Sequence, residues 1–418
     1  ALTEIDVPMR MMAAGWNVIR VDGNNFKDLD RAIITAQKSK KPTFIQCKTV
    51  IGLGSSVAGT SHAHAFELSD LELLKLEEKF TSANGLKLWA RVAKQKFKSS
   101  DLSRKEKNYS INNISVSENI STRELSGKYI EKLLKSEPYL IGGSADLAES
   151  TRTKTFLHKD ITPTDFSGNF INYGVREHAM AAIMNGLCMT GLRPYGGTFL
   201  IFSDYMRPSI RLSALSKLPV IYVFTHDSIA LGEDGPTHQP IEQLASLRLI
   251  PDLNVFRPCN AAEVANAWDA ALAEKSRPSS IVLSRQKFLQ IDTIDLEDIK
   301  KGGYVIRKSE TKRPRITIIA TGSEVPLAVT VANKLKNAQV VSMPSVEIFR
   351  EQPKEYKNKI LQGYVVAIEA GATAGWFEFA DAVMGIDNFG TSGDGADVYK
   401  HFGFDADVIA AEISKKLK

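Results

Sequence analysis

Four short apolar runs constrain this chain more than any other feature: residues 139–143 (YLIGG), 220–225 (VIYVFT), 254–256 (NVF) and 281–284 (IVLS). A strand with one wet face alternates apolar and polar residues, whereas these runs are continuous and so must be covered on both faces. The residues between them repeat at helical spacing, as in Leu125, Tyr129, Ile130, Leu133 and Leu134. The fold class that satisfies both patterns is α/β, with mostly parallel sheets covered by helices. A composition of 43% hydrophobic and 24% charged residues supports buried cores of that kind.

The pattern divides the 418 residues into blocks. Residues 1–95 read as strand (17–21), helix (27–39, with Leu29, Ala32, Ile33 and Ala36 on one face) and strand (43–51). Residues 96–121 are rich in Ser, Asn and Lys and read as a linker. The basic run at 91–107 has only Phe97 as an aromatic, which favours a solvated segment over a nucleic-acid arm. Residues 122–303 carry the four apolar runs. Residues 304–418 repeat the theme on a smaller scale, with strands at 316–321, 340–343 and 365–368 and helices at 325–335 and 405–417. No run approaches the ~20 apolar residues of a membrane span. Cys47, Cys188 and Cys259 are far apart in apolar or strand-like settings, and the first ten residues lack a signal-peptide layout, so a reducing, cytoplasmic setting is expected. The net charge of +5 is too small to name a partner.

In the 122–303 block the runs end in polar or ionisable residues: Asp146, His226 with Asp227, and Arg285. Ligands of open α/β sheets bind beyond the carboxyl ends of the strands, so these side chains should share one rim. The loop LGEDGPTHQP (231–240) adds Glu233, Asp234, Thr237 and His238 in a Gly/Pro-shaped frame. Its histidines lack zinc spacing, and GGSAD (142–146) is not a nucleophile elbow. Glu177 in GVREHAM stands among apolar neighbours, either as a poorly solvated proton-sharing group or as a first-turn residue complementing the helix dipole. Phe199, Phe202 and Tyr205 recur every three residues, a spacing that by itself reads as core. Three glycine-rich segments compete as phosphate binders. GLGSSVAG (52–59) lacks the third glycine of a dinucleotide fingerprint, TGSE (321–324) opens a helix that could accept an anion, and GDG (393–395) reads as a surface turn.

Taken together, STRELS (121–126), GGSADLAES (142–150), NYGVREHAM (172–180), TFLIFSDY (198–205), THDSIALGEDGPTHQP (225–240), FRPCNAAE (256–263) and IVLSRQ (281–286) resemble the transketolase family. AGTSHAH (58–64) and IATGSEV (319–325) extend the resemblance over the other blocks. It implies a partial diphosphate-binding domain, a pyrimidine-binding domain and a C-terminal domain, and thiamine-diphosphate-dependent transfer of two-carbon ketol units between sugar phosphates. By that resemblance Glu177 hydrogen-bonds the aminopyrimidine, favouring the tautomer that deprotonates the thiazolium. Phe202 stacks on the ring, Phe199 and Tyr205 complete the pocket, and Asp146 lines it. Arg123, Ser150, His226 and Arg285 bind the sugar phosphate, Asp234 reads a hydroxyl, His238 contacts the ketol oxygens, and His64 lies near the diphosphate and the reacting carbonyl. His62 receives no role.

The resemblance has gaps. The Gly-Asp-Gly…Asn motif by which the family holds Mg2+ (or Ca2+) is not in its expected place, and the GDG at 393–395 has no asparagine after it. The expectation is therefore no metal ligand in this chain, with the metal and diphosphate held by an absent N-terminal segment. That segment would come from a partner chain or a longer protein, within a homodimer or a complex with the supplying chain. Neither nucleic acid nor membrane is an expected partner. A non-catalytic docking or regulatory half, or an inactive fragment, is the alternative. Dihydroxyacetone synthase and 1-deoxyxylulose-5-phosphate synthase are the alternatives within the class.

Overall fold

A computed structural model describes residues 5–64, 67–80, 119–291 and 296–417. The chain divides into two units, Ala1–Asp101 and Leu102–Lys418. The linker expected at 96–121 lies, as far as residue 118, outside the described residues.

In the first unit, strands β1 (Asn17–Asp22) and β2 (Thr43–Lys48) pair in parallel across the Phe26–Lys38 helix. Asn25 caps that helix by accepting from the Lys27 and Asp28 amides. The second strand ends at Lys48, not at 51, because 51–59 is a chain of turns in which Gly52, Gly54 and Gly59 take positive φ.

The second unit contains two sheets. The larger holds β3 (Leu140–Ser144), β4 (Phe170–Asn172), β5 (Arg193–Phe199), β6 (Ile221–Thr225), β7 (Asn254–Phe256) and β8 (Ser279–Leu283) in the order β4-β3-β5-β6-β8-β7. Every pairing is parallel, and β3, β6, β7 and β8 are buried along their whole length, as the continuous apolar runs require; β5 is buried throughout as well. Strand β5 escapes sequence reading because RPYGGTF contains Pro, Arg and two glycines. A Cβ on Gly196 would collide with the Met184 and Met180 sulfurs, so these glycines let the Glu177–Met189 helix close onto the strand.

The smaller sheet orders β13 (Ala382–Met384), β12 (Tyr364–Ile368), β10 (Ile316–Ala320), β11 (Ala338–Ser342) and β9 (Tyr304–Arg307). It is parallel except for the antiparallel edge strand β9. The Val325–Lys334 and Ala406–Lys416 helices pack together on it and share one core with β10 and β12. The 393–395 turn is more than a surface feature: Asp394 caps the Gly395–His401 helix, and Gly393 and Gly395 lie against Gly232 and Ala230.

Candidate active site

Because all six strands of the larger sheet run the same way, their carboxyl ends share one edge. Phe199, Thr225 and Leu283 stand in register across β5, β6 and β8, and Ser144 is level with Gly197 and Asn172. Strand β3 sends the chain to β4 on one side and receives β5 on the other, the switch in strand order at which such sheets open a crevice.

Arg123 reaches this edge through the start of the Thr122–Leu134 helix. Ser121 and Glu124 form a capping box there. The Thr122 amide donates to Ser284 Oγ at 3.1 Å, and the Ser284 amide donates to Thr122 Oγ1 at 2.8 Å. The helix end is thus tied to the end of β8, one residue from Arg285. Arg123 Nη1 donates to the Ser150 carbonyl at 2.7 Å, and Arg285 Nη1 to the Leu231 carbonyl at 3.0 Å. Burial, then the Arg152 and Arg285 charges, lower the pKa of Arg123. Like charges held together in a half-buried place are costly unless an anion joins them.

His226 follows β6 in a left-handed conformation, φ +60°, and is 3% exposed. Its ring stacks on Phe199, with centroids 3.7 Å apart, and its Nδ1 lies 2.8 Å from Thr225 Oγ1. Burial, followed by the Arg123, Arg285 and His238 charges, pushes its pKa down to about 3, so the ring is neutral at physiological pH. Phe199 and Phe202 are stacked at 5.8 Å, His238 meets the edge of Phe202 at 5.5 Å, and Tyr205 follows at 6.1 Å. The aromatic series is therefore not core. Phe199 is buried, Phe202 half-buried and Tyr205 65% exposed, since the strand turns through Leu200–Phe202 into the Ser203–Leu215 helix at this edge.

Asp234 ends the Ile229–Asp234 turn and is exposed. Gln239 Nε2 secures that loop, donating to the Gly232 carbonyl at 3.0 Å and the Thr391 carbonyl at 2.9 Å. Asp146, exposed and at φ +63°, follows Ser144, whose hydroxyl donates to the Gly197 carbonyl at 2.9 Å. Ser150 is half-buried in the Ala148–Thr151 turn of helix. Glu177 is the first residue of its helix, only 9% exposed, and its carboxylate has no hydrogen-bond partner among the described residues. A carboxylate at a helix start that no protein donor occupies is open to a ligand N–H. His64 belongs to the Ser61–His64 turn of the first unit and is exposed, as is His62.

Two groups escaped sequence reading. Arg257, directly after β7, is fully buried and bonds Asp227, Thr321 and Glu324. The rule that ionisable residues follow strands would have found it. It also overturns the anion-site expectation at 321–324, because that turn is filled by a guanidinium and contributes a carboxylate. The second group is His158 with Tyr195. Thr155 N–H donates to His158 Nδ1 at 2.9 Å, so the neutral ring carries its proton on Nε2, 2.6 Å from Tyr195 Oη, and Tyr195 donates to the Thr153 carbonyl at 3.0 Å.

Family models for "Transketolase, thiamine diphosphate binding domain", "Transketolase, pyrimidine binding domain" and "Transketolase-like TK C-terminal domain" match residues 1–114, 118–290 and 302–405. A transketolase of Pichia stipitis, solved in complex with sedoheptulose-7-phosphate, superposes with a TM-score of 0.86 at 34% identity over 99% of this chain and 69% of its own. This chain belongs to the transketolase family. A transketolase of Aquifex aeolicus is 40% identical over 98% of the chain and 66% of its own length. The chain thus spans about two thirds of the curated transketolases it matches. A split-gene transketolase, in an inactive β4 tetramer, aligns with 71% of the chain and 98% of its own at 28% identity and a TM-score of 0.58. Among the described residues no helix is long and apolar enough to cross a membrane, and no cluster of His, Cys, Asp and Glu could hold a metal.

Proposed function

We propose that this chain serves a transketolase that moves a two-carbon ketol unit between sugar phosphates in the pentose phosphate pathway, with thiamine diphosphate as cofactor. The observation that carries the reading is the convergence of Arg123, Arg285 and neutral His226 on one sheet edge beside the Phe199–Phe202–His238 ring cluster. The residues fit the cofactor's pyrimidine half: a carboxylate at Glu177, in a residue only 9% exposed, with no hydrogen bond from the described residues, and an aromatic face at Phe202. When bound, the cofactor supplies the carbanion that attacks and stabilises the ketol fragment.

In this reading Glu177 accepts a ring N–H and holds the aminopyrimidine in its proton-abstracting tautomer. Phe199, Phe202 and Tyr205 wall the ring, and Asp146 lines the pocket. Arg123 and Arg285 grip the phosphate through forked, charge-assisted hydrogen bonds, and the neutral His226 and Ser150 add uncharged ones. His238 orients the ketol oxygens and Asp234 a sugar hydroxyl. His64 serves the reacting carbonyl. The diphosphate and its Mg2+ or Ca2+ are held by protein outside these 418 residues, continuous with them or separate, in a dimeric cytoplasmic enzyme. The three-domain division, with boundaries near 96–121 and 303, belongs to the same reading.

The test compares the purified chain with the same chain supplied with the remaining third of a transketolase. Ketol transfer from xylulose phosphate to ribose phosphate is expected only in the completed enzyme. Arg285→Leu should raise KM for the phosphorylated donor by one to two orders of magnitude, corresponding to the ~1.5–3 kcal/mol of hydrogen bonds to a charged group. The split-gene neighbour, inactive as a β4 tetramer, favours one rival reading, a docking half without catalysis. Full activity of a completed enzyme carrying Glu177→Ala would select that rival.

A further inference from the structure

His226 adopts a left-handed backbone conformation that residues with a Cβ seldom take, so its surroundings must hold it there. The two residues after it are both anchored to the smaller sheet's part of the unit. Arg257 places Nε 3.0 Å and Nη2 2.8 Å from Asp227 Oδ2, while its Nη1 bonds Thr321 Oγ1 at 2.9 Å and Glu324. Ser228 Oγ lies 3.2 Å from Tyr399 Oη, which donates to Glu324 at 2.6 Å. Glu369 closes the network, receiving both Nη groups of Arg248 at 2.7 and 2.9 Å and Trp376 Nε1 at 2.8 Å. Room for Arg257 depends on a glycine: a Cβ on Gly322 would stand 2.9 Å from Arg257 Cγ, and Gly322 has φ +51°.

Stability alone gives little reason for such a cluster. Buried ion pairs roughly break even against apolar replacements, and here Asp227 Oδ1 has no partner. What the cluster fixes is the path of 226–228. With that path His226 lies flat on Phe199, its Nδ1 toward Thr225, and its Nε2 edge free of protein partners among the described residues.

We propose that Arg257, through Asp227, is a positioning residue for the phosphorylated end of the substrate: from the end of β7 it sets His226 beside Arg123 and Arg285. This rests on the phosphate reading given above. The test uses the completed enzyme and two ketol donors with the same reacting end, one phosphorylated and one not. Asp227→Asn keeps the volume and weakens the ionic grip, and Arg257→Lys keeps the charge and loses the fork. Each should raise KM for the phosphorylated donor about tenfold while kcat, and KM for the unphosphorylated donor, change less than about twofold. The double variant should be no worse than the more severe single one.

A parallel fall in kcat for both donors would mean loss of folded enzyme and would overturn the proposal, as would an unchanged KM. Arg285→Leu, measured alongside, separates the two readings. If it raises KM for the phosphorylated donor while Asp227→Asn and Arg257→Lys do not, only the positioning role fails. If it does not, the phosphate reading fails first.

Discussion

At the scale of residues, the decisive chemistry is carried by side chains whose surroundings contradict their solution preferences. Glu177 keeps an unoccupied carboxylate in a residue only 9% exposed, His226 is neutral beside two guanidinium groups, and Arg123 is held against like charge. For Glu177 the consequence is specific. Glu177→Gln in the completed enzyme should lower kcat by about 10²–10⁴-fold, the usual worth of a positioned proton-transfer partner. The melting temperature should hardly move, because Gln keeps the size of the side chain and the carboxylate gives up no hydrogen bond among the described residues. A kcat within a factor of two of the parent would remove Glu177 from the reaction. The identity of these residues was readable in the sequence, since each follows an apolar run or lies in a motif. Their burial was not: the spacing of Phe199, Phe202 and Tyr205 gave the wrong environment because the helical period continues across a strand-to-helix turn.

At the scale of elements, the 146–170 segment is held by His158 and Tyr195 more than by secondary structure. Tyr195→Phe would leave His158 Nε2–H and the Thr153 carbonyl without their partner. The expected cost is ~1–3 kcal/mol, read as a shift of the urea midpoint. The same histidine makes stability depend on pH. Its pKa is pushed down to about 4, first by burial, and that of His226 to about 3, against an ordinary value of 6.5. The unfolded chain therefore takes up these protons first. The stability they permit is complete above about pH 6.5 and is lost as pH falls toward the folded values. Asp269, raised to about 6 chiefly by burial, has the opposite sign and offsets part of the loss between pH 6 and its ordinary 3.8. The melting temperature should fall between about pH 7 and about pH 5, and His158→Gln should make that fall shallower; an unchanged slope would show that His158 does not titrate on unfolding.

At the scale of the whole molecule, burial is unevenly distributed. The second unit contains two sheets whose central strands are buried, one all parallel and one parallel but for its edge strand β9. In the first, Pro8 and Ala32 are the buried residues among those described, and β1 and β2 form a two-stranded parallel sheet. Two-stranded sheets with so little buried surface are marginal in water. In the chain by itself, the amides of 17–22 and 43–48 should exchange with solvent far faster than those of β6 and β10. Adding the remaining third of the enzyme should slow them by orders of magnitude, as followed by hydrogen exchange. Equal protection in both states would show that the first unit is stable without further contacts.

The sequence by itself determined four of the strands that are buried on both faces, their common direction, and hence the edge where Asp146, His226 and Arg285 would meet, while Arg123 was placed there by resemblance alone. Continuous apolar runs and the residues that end them are local properties, and parallel pairing leaves only one edge for their carboxyl ends. Tertiary structure decided what local pattern does not encode. It fitted glycine-bearing β5 beneath a helix and converted the 321–324 turn from an anion site into a seat for Arg257. It also linked the loop after β6 to residues about 100 and 140 positions further along the chain. Those outcomes depend on which side chains approach across long sequence separations, where close packing and charge pairing override the preferences of any single segment.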